Sequence, residues 1–370
     1  MKKTNKDKSA LHEIEGVKQP KKVNKNSINK IKLHRKKQAS TTEFIKQIRN
    51  GNIRYLSQAI TLIESTNPKH QKKASKIIKA CLPYANNSIR IGITGVPGVG
   101  KSTFIESFGK FLTSKGKKIA VLAIDPSSSV NKGSILGDKT RMESLVKDAN
   151  AFIRPSPSGD SLGGVARKTR ETIILCEAAG FDTIFIETVG VGQSETAVRS
   201  MVDFFLLLKL AGAGDELQGI KRGIIEMADA IVINKADGDN EKAANLAKVA
   251  FNRALHLYPL KKNNWQPKVT TCSAFYHKGM KKIWTIITDY LDLVTKSGFF
   301  NKNRSKQNEF WLYETINQRL KDHFYQNPFI KKQLQLEINR ISENKTTPFE
   351  VADELLELYL KKKYSSNIKT

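Results

Sequence analysis

The sequence predicts an α/β fold: a mostly parallel sheet with helices on both faces, flanked by N- and C-terminal helical extensions. Three observations predict it. From Ser88 onward, short β-rich runs alternate with helical stretches, as βαβ units require. Those runs are short and apolar, which fits strands buried on both faces. Before and after them the apolar spacing is helical, and the segments open on capping signals.

Composition bounds the function. The chain has 370 residues, enough for about two domains. A hydrophobic content of 39% supports a packed core and excludes wholesale disorder. The most apolar run, Phe204 to Leu208 with Leu210 beyond Lys209, is far short of the roughly 20 residues a membrane span needs. The lysine-rich N-terminus has no apolar stretch behind it and does not read as a secretory signal. Cys81, Cys176 and Cys272 are far apart and form no CxxC pair. A disulfide framework and a structural zinc site are therefore not expected, and a reducing cytoplasm fits. Of the net charge of +28, residues 1–40 hold +10, which leaves +18 for the body. Spread through a Lys- and Asn-rich chain, this charge reads as solvated surface rather than a nucleic-acid or membrane footprint.

The elements follow in order. Residues 1–39 carry few apolar side chains and read as a flexible basic tail. A mitochondrial presequence is disfavoured there, since Lys dominates over Arg. Ser40-Thr41-Thr42-Glu43 is a capping box, and its helix should stop at Asn50-Gly51. A second helix covers 53–64. Asn67-Pro68 supplies an N-cap and a first-turn proline to a third, ending near Leu82. Residues 40–87 thus form an N-terminal helical segment. Strands are expected at 89–94, 119–124, 151–154, 183–187, 204–208, 230–234 and 268–271 within a domain spanning 88–300. After Gly279 the chain is helical again. Asn327-Pro328 opens one late helix and Thr347-Pro348-Phe349-Glu350 another. Phe310, Tyr313, Ile316, Leu320 and Phe324 form one apolar stripe; Phe349, Ala352, Leu355, Leu356 and Tyr359 form a second. Spacing alone leaves open whether these stripes pack on the chain's own core or on a second subunit. A C-terminal helical segment over 301–363 and a short tail over 364–370 complete the chain.

Four motifs carry chemistry. Gly95-Val-Pro-Gly-Val-Gly-Lys101-Ser102 matches GxxxxGK[ST], between an expected strand and an expected helix over 103–112. The backbone N–H groups of Gly95, Gly98, Val99 and Gly100 can turn inward around a β-phosphate. Lys101 neutralises β/γ-phosphate charge, Ser102 offers its hydroxyl to Mg²⁺, and the helix through Thr103 points its positive end at the phosphates. This is a P-loop NTPase signature. Second, Asn234-Lys235-Ala236-Asp237 ends a strand. The Asp237 carboxylate can accept from guanine N1–H and the 2-amino group together, a donor pair adenine lacks. Asn234 can bond the other edge of the base, and the Lys235 stem can cover it. Ser273 and Ala274 follow the next strand, where a backbone amide would reach guanine O6. Third, Glu187-Thr-Val-Gly190 places an acid where Mg²⁺ is held and a glycine N–H at the γ-phosphate. Fourth, Asp125-Pro126-Ser127-Ser128 ends a strand and places Asp125 for Mg²⁺ or the attacking water. Where a Ras-like enzyme has its water-orienting Gln, this chain has Val191, with Gln193 later. Slow intrinsic hydrolysis is expected.

These strings, with Gly214-Asp-Glu-Leu-Gln-Gly-Ile-Lys-Arg-Gly223, closely resemble the MeaB/ArgK family of P-loop GTPases associated with methylmalonyl-CoA mutase. The likeness runs from about Thr42 to Tyr359 and omits the basic tail. It implies a homodimer joined through C-terminal helices. It also implies a GTP-dependent chaperone that gates cofactor delivery to an adenosylcobalamin-dependent mutase and protects it. By family pattern Asp125, Asp138 and Glu187 cluster at Mg²⁺ with Ser102, and Lys221 lies in a loop that answers to nucleotide and mutase. The catalytic set is then Lys101, Asp125, Gln193 and Lys221. The chain has no cobalamin-ligand DxHxxG segment, so any B12 belongs to the partner. Two alternatives remain: an ATP-dependent kinase of a lysine/arginine/ornithine transport system, which Asp237 opposes, and a metal-insertion GTPase, which would need Cys or His clusters.

Overall fold

A computed structural model of the chain describes residues 40–124, 142–155, 162–188, 194–212 and 222–367. The basic segment 1–39 lies outside them.

Seven strands form one parallel sheet: β1 (Ile89–Gly95), β2 (Ile119–Ile124), β3 (Ala151–Arg154), β4 (Thr183–Thr188), β5 (Phe204–Leu210), β6 (Ala230–Asn234) and β7 (Lys268–Thr271). Their order is β3-β2-β4-β1-β5-β6-β7. All expected strands are present. Three run longer than read. β5 continues past Leu208 through Lys209 to Leu210. The Lys209 ammonium lies 5.5 Å from the Phe251 ring, so the charge is accommodated in a buried place. β1 and β4 each gain a residue at the end that faces the site.

Successive connections leave β1 toward β2 on one side and reach β5 on the other. That reversal opens a crevice beyond the C-terminal ends of β1, β4 and β5. α4 (Lys101–Thr113) follows β1 and packs Phe104 and Phe108 onto Ile91, Ile93 and Phe185. α10 (Met280–Lys296) covers the same face with Ile283, Ile287 and Tyr290. On the other face lie α6 (Leu162–Ala178) and α7 (Ser194–Arg199). The N-terminal helices α1 (Thr41–Arg49), α2 (Ile53–Glu64) and α3 (Pro68–Cys81) pack outside α6. Asn67 caps α3 as read, its Oδ1 accepting from the Lys69 N–H at 2.9 Å.

Between these elements lie α5 (Glu143–Val146), α8 (Arg222–Met227) and α9 (Glu241–His256). The C-terminal helices are α11 (Phe299–Tyr325), α12 (Pro328–Ser342) and α13 (Pro348–Asn367). α13 runs four residues into the expected tail, because 361–367 contains no Gly or Pro to stop it. On α11 the buried residues are Arg304, Gln307 and Trp311. Phe310, Tyr313, Ile316 and Leu320 are 44–59% exposed, so most of the first stripe does not pack on the chain's own core. Phe324 differs: its ring meets Tyr359 edge-on at 5.2 Å. The second stripe divides, with Leu355 buried and Phe349 and Leu356 exposed. No helix among the described residues is long and apolar enough to cross a membrane.

Candidate functional site

The site is built around the loop between β1 and α4. Gly100 caps α4 at φ 90°, a left-handed conformation. A Cβ there would lie 2.9 Å from Asn234 Nδ2. At Gly95 a Cβ would lie 2.6 Å from the Leu208 carbonyl oxygen, so the loop leaves the sheet too close to β5 for any side chain. Lys101 turns back into its own loop. Its Nζ donates to the carbonyls of Gly95 at 2.8 Å and Val96 at 3.3 Å. Burial lowers the Lys101 pKa, while the nearby carboxylates of Glu187 and Glu195 oppose that shift. Val99 is buried, Ser102 half-buried and Thr103 exposed in the first turn, where orphan N–H groups and the helix dipole favour an anion.

The strand ends beyond β6 and β7 carry the second part. The Asn234 side chain links three segments. Its Nδ2 donates to the Val99 carbonyl at 2.8 Å, and its Oδ1 accepts from the Ala274 N–H at 3.1 Å and the Cys272 thiol at 3.3 Å. Asn234 therefore fastens the phosphate loop to the loop after β7, a task its sequence position did not reveal. Burial pushes the Cys272 thiol up to about 12, so it stays protonated and able to donate. Lys235 holds a left-handed φ of 56°, uncommon outside glycine, and its side chain is exposed. Ser273 Oγ donates to Asp237 Oδ2, which fixes the half-buried carboxylate. A half-buried, loop-held carboxylate of this kind suits a planar base edge.

A family model described as methylmalonyl-CoA mutase-associated GTPase MeaB matches residues 56–329. The chain belongs to the MeaB family. GTPase ArgK of Escherichia coli (strain K12) is 45% identical over 311 residues, 84% of this chain and 94% of that one. The mitochondrial methylmalonic aciduria type A homolog of Mus musculus is 43% identical over 314 residues, 82% of this chain and 76% of that one. A crystal structure of LAO/AO transport system kinase superposes with a TM-score of 0.70 at 38% identity, covering 88% of this chain and 99% of that one. As a MeaB-family P-loop GTPase, the chain takes guanine nucleotides.

Glu187, read as a Mg²⁺ ligand, lies on β4 and is nearly buried. Next to it Thr188 Oγ1 donates to Thr94 Oγ1 at 2.8 Å, tying β4 to β1 just before the phosphate loop. Of the four residues read as Mg²⁺ ligands, Ser102 and Glu187 are described. Both are hard oxygen donors, the chemistry Mg²⁺ prefers. Asp125, Asp138, Gly190, Gln193 and Lys221 lie outside the described residues. Among the described residues no three His, Cys, Asp or Glu side chains form a metal cluster. Sequence reasoning missed Glu195, which is buried and acts on Lys101. Its signal was its place, eight residues after Glu187 in the first turn of α7.

Proposed function

We propose that the chain is a GTP-hydrolysing chaperone of an adenosylcobalamin-dependent acyl-CoA mutase, methylmalonyl-CoA mutase foremost. It gates cofactor loading and protects the mutase from a cytoplasmic location. Family membership supports the mutase association. The observation that carries the nucleotide choice is Asp237, fixed by Ser273 next to the Asn234 link to the phosphate loop. An acceptor so held meets guanine's donor pair and offers adenine nothing.

The backbone N–H groups of Gly98, Val99 and Gly100 hold the phosphates, and the Lys101 ammonium opposes charge between β and γ. A Mg²⁺ bound through Ser102 and Glu187, with Asp125 and Asp138, would neutralise phosphate oxygens. Asp125 and Gln193 position the attacking water, and Lys221 completes the site in response to the mutase. With Val191 in place of a Gln, basal turnover is slow and a partner raises it. The exposed Phe310, Tyr313, Ile316 and Leu320 support a homodimer through the C-terminal segment.

The test is GTP hydrolysis by the full chain, with and without a purified methylmalonyl-CoA mutase, with ATP as competitor. The expected outcome is slow GTP turnover that the mutase accelerates and ATP does not inhibit. ATP competing equally would favour the transport-kinase reading. Turnover indifferent to the mutase would remove the chaperone role. Capture from native lysate with a non-hydrolysable GTP analogue then identifies which mutase co-purifies.

A further inference from the structure

Helix α7 has one end at the nucleotide crevice and the other at helix α11. It is six residues long, about 9 Å at an ordinary helical rise. At its first turn Glu195 is buried, and its charge acts on Lys101. In its middle Val198 lies against β1 so closely that a Cβ on Gly92 would come within 2.9 Å of it. At its end Arg199 Nη1 donates to Asp229 Oδ2 at 2.7 Å. Such a short helix, packed on the strand that leads into the phosphate loop, moves as one piece with its ends.

The turn that follows, residues 200–203, is held by one face of α11. Trp311 Nε1 donates to the Ser200 carbonyl at 3.1 Å. Gln307 Nε2 donates to the Val202 carbonyl at 2.7 Å. Arg304 donates to both Asp203 oxygens, at 2.9 and 2.7 Å. Spacing of i, i+3 and i+7 puts the three on one helical stripe. Arg170 of α6 bonds Asn308 and lies 5.9 Å from the Trp311 ring. Yet among the described residues two buried polar atoms at this joint have no partner: Arg170 Nη1, a donor, and Gln307 Oε1, an acceptor. Packed interiors rarely leave such atoms unmet. A slide of α11 along α6 would change the partners of both.

We propose that Trp311 is a positioning residue for GTP hydrolysis: by holding the Ser200 carbonyl it sets α7, and the nucleotide state in turn sets the surroundings of its indole. The proposal rests on the crevice taking guanine nucleotide. Linkage makes the effect reciprocal, because a joint that biases the site is biased by it.

The experiment uses the full chain. Guanine nucleotide affinity is measured first, so that a failure of the nucleotide reading is seen separately; a wild-type chain that binds none overturns that reading and the joint with it. Trp311→Phe keeps a ring in place and removes the indole N–H. The expected result is nucleotide affinity within about threefold of wild type and a kcat lower by about fivefold or more, as a misplaced catalytic element gives. The tryptophan emission difference between GDP and a non-hydrolysable GTP analogue should fall by at least half, with Trp265 and Trp284 still present. Gln307→Met removes the second donor and should lower kcat in the same direction, which keeps the test available if Trp311→Phe does not fold. Unchanged kcat in both variants overturns the proposal. So does an affinity loss equal to the kcat loss, since that marks a merely structural role.

Discussion

The two ends of the sheet carry opposite kinds of polar chemistry. At the C-terminal ends of the strands, polar side chains are held by backbone or by one another yet keep groups facing the crevice. Lys101 rests on its own loop carbonyls, and Asp237 rests on Ser273. At the N-terminal ends, charges consume each other. Arg90 pairs Glu177, which also accepts from Ser88 and the Asn86 N–H. Asp203 takes Arg304 and the Arg90 N–H. Asp229 takes Arg199, Lys261 and the Phe205 N–H. The lesson is that burial of charge does not by itself mark a site. A saturated buried pair is structure, while an acceptor or donor with a direction left over is chemistry.

Substitutions at each end sharpen that contrast. Arg304→Ala leaves the Asp203 carboxylate buried without its main partner, which should cost about 3–5 kcal/mol. Thermal denaturation should show a fall of several degrees, while guanine nucleotide affinity at a permissive temperature stays near wild type. Lost affinity with an unchanged melting temperature would reverse the assignment of the two ends.

Lys101→Ala should do the opposite. Losing a preorganised cation at a phosphoryl-transfer site lowers kcat by about 10²–10³-fold, as removal of a single oxyanion donor does. The melting temperature without nucleotide should change little, since among the described residues the ammonium hydrogen-bonds carbonyls of its own loop. A large drop would make Lys101 a core residue.

Asp237→Asn should weaken GTP binding by about tenfold or more, through loss of a charge-assisted pair worth about 1.5–3 kcal/mol. Xanthosine nucleotides should then compete, because their base edge offers an acceptor in place of the 2-amino group. Competition titrations decide it; unchanged GTP affinity would separate Asp237 from the base.

The smallest effect belongs to Asp148, which lies in neither end set. The hydrogen bond from Lys110, at 2.7 Å, with help from the Asn150 N–H and Thr113, holds its carboxyl down at about 2. Its folded pKa is below the unfolded value, so the stabilisation is complete above about pH 4 and fades as pH falls toward 2. Asp148→Asn should therefore cost about 1 kcal/mol near neutrality and progressively less at pH 3. Denaturant titrations at the two pH values measure it.

The exposed stripe invites a test of its own. Tyr313→Glu with Leu320→Glu should turn a dimer into a monomer by light scattering, with nucleotide binding retained. Truncation within α11 is less suitable, because Gln307 and Trp311 hold the turn after α7.

The sequence by itself determined the strands, their order along the chain and the nucleotide motifs, because these depend on local rules. Short apolar runs specify buried strands, Asn67-Pro68 and Asn327-Pro328 start helices by capping, and the phosphate loop works through its backbone. Tertiary structure alone decided the rest. Asn234 became a link between Val99 and Ala274, and the buried Glu195 came near enough to act on Lys101. Arg304, Gln307 and Trp311 reached back to residues about 100 positions earlier. Those partners are set by which strand lies beside which. A side chain's chemistry is written in the sequence, but the group that saturates it, or leaves it free to act, is brought by the packing of distant segments.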